Sequence, residues 1–157
     1  MLISLNGVSK GFLDKTVLKN ISLSVNNNDR IGLLGINGVG KTTTTINLGA
    51  ALAGLNKKVL IVDTDMRKGR QYTIFNLKPR PGISNFLSGV VEQDFVGEKE
   101  DIRNYIQETD IENLYLIPAG NVPPNPSELL VSTKMKAIID DLLQAFDIII
   151  FDVPPCL

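Results

Sequence analysis

The spacing of apolar positions changes several times along the chain, and each change predicts a new element. Val17, Ile21, Leu23 and Val25 roughly alternate with polar residues, the pattern of a half-buried strand, and residues 2–25 as a whole read as two short strands. Asn26-Asn27-Asn28-Asp29 is a turn, and Arg30-Ile31-Gly32-Leu33-Leu34 is a short apolar strand leading into a glycine-rich loop. From Lys41 to Ala53 the period is helical, with Ile46, Gly49, Ala50 and Ala53 on one face and Gly54 placed as a C-cap. Lys58-Val59-Leu60-Ile61-Val62 is apolar without alternation, as a strand covered on both faces requires, and Leu114-Tyr115-Leu116-Ile117 is a further buried strand. Between them, residues 66–110 are less periodic and read as short helices punctuated by Pro81-Gly82 and Ser88-Gly89. After a stiff loop at Pro123-Pro124-Asn125-Pro126, Ser132 is placed to cap a long helix. Its apolar residues are Met135, Ile138, Ile139, Leu142, Leu143 and Phe146, and Asp147–Asp152 is the last strand.

Strands alternating with helices predict an α/β fold of three layers with a mainly parallel sheet, to which the front segment adds an antiparallel β-hairpin. The 157 residues are one domain's worth and enough for a single core. The absence of histidine excludes His-based acid–base chemistry, Ser-His triads and His-ligated metals. The single cysteine, Cys156, excludes an internal disulfide and suits a reducing cytosol. No signal peptide and no apolar run near the ~20 residues of a membrane helix is visible, so a soluble, cytoplasmic protein is expected. The net charge of −1 gives no global field to recruit nucleic acid. Charge is nonetheless uneven. Arg67, Lys68, Arg70, Lys78 and Arg80 fall together, and eight acids lie between Glu92 and Glu112; these are two solvated faces or complementary patches for self-association.

One segment carries specific chemistry. Gly35-Ile36-Asn37-Gly38-Val39-Gly40-Lys41-Thr42 matches the phosphate-binding P-loop pattern in full, and Thr43 follows it. Wrapping a phosphate requires backbone N–H groups that converge, and glycine permits the necessary angles without a Cβ clash. The helix that follows turns its N-terminal dipole toward the anion. Lys41 is then placed to reach the β- and γ-phosphates, and the Thr42 hydroxyl to ligate Mg²⁺. A chance match somewhere in a chain this long has odds of roughly one in two hundred, and the position between a strand and a helix lowers them. Mg·ATP is the expected ligand, in a P-loop NTPase fold.

Two strands end in carboxylates. Asp63 and Asp65 follow Val59–Val62, and Asp152 closes the last strand. Ligands of parallel α/β sheets bind beyond the carboxyl ends of the strands, the edge to which the phosphate loop also belongs. Asp152 is expected to hold a magnesium water, and Asp63 or Asp65 to orient or deprotonate the attacking nucleophile.

From Gly38 onward the chain resembles bacterial tyrosine kinases of the capsular-polysaccharide type, members of the superfamily of division-site and plasmid-partition ATPases. The residues concerned are Gly40–Leu48, Lys58–Arg67, Pro81–Gly89, Leu116–Gly120, Pro123–Leu130 and Ile150–Pro155, about three quarters of the chain in the family's order. The resemblance makes Asp63-x-Asp65-x-Arg67 a second Walker-type motif and matches Asp152 to the aspartate of the last strand. Residues 2–43 resemble instead the opening of an ATP-binding cassette domain, in which an aromatic at Phe12 stacks on adenine. The two resemblances meet inside the loop that both families share, so a hybrid is expected, cassette-like over 1–37 and kinase-like over 38–157, truncated after the Walker B strand. Val153 and the missing histidine depart from the cassette pattern, and Gly69 stands where the kinases usually have proline. The resemblance implies an ATP-dependent phosphoryl transferase of protein-tyrosine kinase type, or a weak ATPase, beside a membrane-anchored activator. A hybrid or designed module that holds nucleotide with little catalysis, and a cassette-type ATPase fragment, stand as alternatives.

Overall fold

A computed structural model describes residues 3–12, 15–25, 29–33, 39–89 and 101–153, with the account up to Lys41 confined to the backbone. Strands β1 (Ile3–Phe12) and β2 (Lys15–Val25) pair antiparallel as a separate two-stranded sheet. The front hairpin is as expected, but its strands are ten and eleven residues long and the register slips three times. Such bulges let a long ribbon keep pairing while it twists.

The main sheet has five strands in the order β3-β7-β4-β6-β5: β3 (Asp29–Leu33), β7 (Ile148–Asp152), β4 (Val59–Asp63), β6 (Leu114–Ile117) and β5 (Gln107–Glu108). The first four run parallel, and β5 closes the far edge antiparallel to β6. The apolar strands are buried on both faces because helices lie on both. Helix α1 (Val39–Ala53) covers one face. Ile46, Leu52 and Ala53 meet Val59, Ile61, Leu114, Leu116, Ile148 and Ile150 there. Gly49 lets helix and sheet approach, since a Cβ on it would lie 3.0 Å from both Ile61 Cδ1 and Leu114 Cδ1. On the other face, α3 (Ile83–Ser88), a 3-10 turn at Ile102–Tyr105 and α5 (Thr133–Ala145) pack on Leu60, Val62, Ile117 and Ile149. Alternate residues of each strand thus serve opposite layers, as the pleat dictates.

Helix α5 begins where the sequence places it. The Ser132 hydroxyl accepts from the Met135 N–H at 3.1 Å, and Met135, Ile138, Leu142 and Phe146 enter the core. Three expectations change. Gly54 follows the last residue of α1, yet the left-handed residue that ends the turn is Asn56, at φ 58°. The stiff loop expected over Pro123–Pro126 ends in a helical turn, α4 (Pro126–Leu130), since proline at a first helical position has no N–H to lose. Residues 66–110 hold, besides α2 (Gln71–Ile74) and α3, the two-residue strand β5, too short to show a period.

Candidate functional site

The sheet register assembles the site. Leu33 pairs with Asp152, and Asp152 pairs with Asp63, so the ends of β3, β7 and β4 lie in one row. β3 ends at Leu33 and α1 begins at Val39. Gly35, Asn37 and Gly38 lie outside the described residues; Val39, Gly40 and Lys41 form the first turn of α1. Thr42 and Thr43 follow with half-buried side chains. A parallel strand and a helix thus flank the glycine-rich segment, the order expected around a phosphate cradle. Phe12 ends β1, opposite Lys15.

The two strand-end carboxylates are buried side by side, Asp63 at 1% exposure and Asp152 at 2%. Asp63 Oδ1 accepts from the Asp65 N–H at 3.1 Å and Oδ2 from the Gln71 N–H at 3.4 Å. Burial, and then the neighbouring Asp152, raise its pKa to about 7, against the opposing pull of those two N–H groups. Asp152 Oδ2 accepts from Gln71 Nε2 at 2.6 Å, while its backbone carbonyl takes the N–H and hydroxyl of Thr64 at 3.1 and 2.8 Å. Asp65 is half-buried. Its side chain and carbonyl accept from the Lys68 and Gly69 N–H groups, which curls 65–69 into a tight turn anchored by buried Met66.

That turn accounts for Gly69. A Cβ there would come within 2.5 Å of Asp63 Oδ2 and 2.8 Å of Ala119 Cβ. Ala119 is held by a second knot in the chain. The Ile83 and Ser84 N–H groups donate to the Pro118 and Ala119 carbonyls, and Asn85 Oδ1 takes the N–H groups of Gly82 and Asn121. Gly120 completes the knot at φ 83°, a conformation that favours glycine. The segments Pro81–Gly89 and Leu116–Gly120, separate in the sequence, thus form one support behind the Asp63 turn.

The residue that sequence reasoning missed is Gln71. It is fully buried, and it touches Asp63 through its backbone and Asp152 through its side chain. Nothing about a glutamine between Arg70 and Tyr72 signals this, because its burial is created by the turn that precedes it. Of the basic cluster, Arg67, Lys68, Arg70, Lys78 and Arg80 are all exposed, whereas acids from Glu92 to Glu100 lie outside the described residues.

The candidate donors are oxygens: the Thr42 hydroxyl near the start of α1, and the carboxylates of Asp152, Asp63 and Asp65 at the strand ends. Hard oxygen donors suit Mg²⁺, which takes one or two carboxylates and keeps several waters. Gln71 Oε1, buried without a hydrogen-bond partner among the described residues, adds an acceptor for such a water. The residues fit the group.

Fold and site together define a P-loop NTPase of the α/β type, with a carboxylate pair on the strand ends next to β3. The AAA domain family profile matches residues 35–157, and the chain belongs to that family. It is 39% identical over 116 residues to the putative tyrosine-protein kinase CapB of Staphylococcus aureus, covering 74% of this chain and 47% of that protein. The kinase domain of Escherichia coli tyrosine kinase ETK superposes with a TM-score of 0.69 at 31% identity, over 82% of this chain and 47% of the other. The septum site-determining protein MinD of Pyrococcus horikoshii, complexed with Mg-ADP, superposes with a TM-score of 0.62 at 27% identity, over 82% and 49%. The chain thus spans about half the length of these relatives. The kinase resemblance and its superfamily are upheld. The cassette-like front and the hybrid find no support, since the family and the relatives reported are of the kinase and MinD type and none is a cassette ATPase.

Proposed function

We propose that this domain binds Mg·ATP and performs phosphoryl transfer of the bacterial tyrosine-kinase type. The observation that carries the reading is the row Leu33–Asp152–Asp63, in which the end of the strand preceding the glycine-rich motif, one buried carboxylate and then a second lie on three adjacent strands. Gly35, Asn37, Gly38, Val39, Gly40 and Thr43 would cradle the phosphates through their N–H groups. Lys41 would offset charge on the β- and γ-phosphates. Thr42 and Asp152 would hold magnesium, Asp152 through a water; the ion, when bound, neutralises charge on the phosphate oxygens. Asp63 or Asp65 would orient the acceptor hydroxyl and take its proton. A carboxyl raised to about 7 suits a general base near neutral pH, and Asp65, less buried, stands nearer the solvent from which an acceptor arrives. By the same kinship we assign the domain to self-association and to a membrane-anchored activator in the cytoplasm. Among the described residues no helix is long and apolar enough to cross a membrane.

The test is the fate of γ-labelled phosphate from Mg·ATP, run beside Lys41→Ala. Label on tyrosine that the variant loses establishes the kinase reading. Label released only as free phosphate makes the domain an ATPase, and no movement of label in either protein overturns catalysis altogether.

A further inference from the structure

The two carboxylates of the row belong to different strands and, on the reading above, to different tasks: Asp152 on the metal side, Asp63 on the acceptor side. One residue contacts both. Gln71 opens α2, and the Asp65–Gly69 turn folds it back over the sheet edge, where it is fully buried. Its N–H donates to Asp63 Oδ2 at 3.4 Å and its Nε2 to Asp152 Oδ2 at 2.6 Å. The amide orientation follows from chemistry, since only the NH₂ end can donate to a carboxylate. That orientation commits Oε1 to the opposite side, where it is buried and accepts no hydrogen bond among the described residues. An acceptor left so in a core carries its desolvation penalty without an offsetting bond.

We propose that Gln71 is a positioning residue of the nucleotide site. Its amide nitrogen fixes the Asp152 carboxylate, and its Oε1 is the acceptor for a water of the magnesium shell, so that the glutamine is fully satisfied only when Mg·nucleotide is bound. The inference rests on the Mg·nucleotide reading but not on catalysis. Gln71 touches neither nucleotide nor metal; it acts through Asp152 and through water. Outer-shell partners of this kind typically change metal affinity by 10- to 100-fold when removed.

The experiment measures the affinity of a fluorescent ADP for the 157-residue protein in EDTA and across a Mg²⁺ titration, for the parent, Gln71→Met and Gln71→Asn. Methionine keeps the volume and removes both hydrogen-bonding ends; asparagine keeps the amide but falls one methylene short of Asp152. The expected result is that Gln71→Met binds ADP in EDTA as the parent does but needs about 10-fold or more Mg²⁺ for the same enhancement, with Gln71→Asn shifted in the same direction. An unchanged Mg²⁺ requirement in Gln71→Met overturns the proposal. Equal weakening in EDTA and in Mg²⁺ also overturns it, since that marks a glutamine needed only for packing. A parent that binds ADP with no response to Mg²⁺ brings down the Mg·nucleotide reading, and this inference with it.

Discussion

Asp63 shows how a single residue's environment sets its chemistry. Two neighbouring N–H groups favour its charged form, yet burial and Asp152 outweigh them and raise the pKa from 3.8 to about 7. The folded state therefore binds a proton that the unfolded state releases near pH 3.8. The stabilisation associated with that proton is complete below pH 3.8 and is lost as pH rises through about 7. We expect the melting temperature of the nucleotide-free domain to fall between pH 5 and pH 8, and the fall to flatten in Asp63→Asn; an equally steep profile in the variant would place the titration elsewhere. In catalysis, Asp63→Ala and Asp65→Ala should retain ADP binding while the residue that serves as base loses roughly 10²–10⁴-fold in turnover. Unchanged turnover in both removes the base from this pair. The neighbouring Gly69 belongs to the same scale: where a Cβ would crowd the Asp63 carboxylate, only a hydrogen atom is tolerated at the observed spacing.

Elements differ in how much of their stability is local. Helix α5 carries its own start signal and a continuous apolar stripe, so it was readable before any packing was known. Ser132→Ala removes the bond to the Met135 N–H and should cost about 1 kcal/mol, measurable by urea denaturation; a loss well under half of that would mean the helix is held by its buried face alone. Buried Leu142, on the same helix, belongs to that face, and Leu142→Ala should cost about 2–5 kcal/mol. By contrast α2, α4 and β5 are four, five and two residues long. Segments this short are stabilised by what they touch. The Gln107 side chain, for example, exchanges hydrogen bonds with the Lys78 backbone across the sheet edge, at 3.0 and 2.9 Å. No window of sequence around Gln107 contains that partner.

For the molecule as a whole, binding should report as stability. Mg·ADP at a hundred times its Kd adds about 2.7 kcal/mol to the folded state, and for a domain of this size that is a rise in melting temperature of roughly 5–10 °C. A melting curve indifferent to nucleotide would contradict the site. The sequence alone determined the layers, the strand ends and the phosphate loop, because each depends on short-range chemistry: the period of apolar residues, the conformational freedom of glycine, and a lysine and threonine at fixed offsets. It also placed Asp63, Asp65 and Asp152 at the edge where ligands bind, since strand direction follows from the alternation of strands and helices. The tertiary structure decided what those residues do to one another. The order β3-β7-β4 brought Asp152 beside Asp63 across 89 residues of chain. The knot of Gly82, Asn85 and Gly120 braced the turn behind them, and that turn carried Gln71 into the core. Pair interactions between distant segments arise only when the sheet order is set, and the sheet order is a property of the whole packed chain.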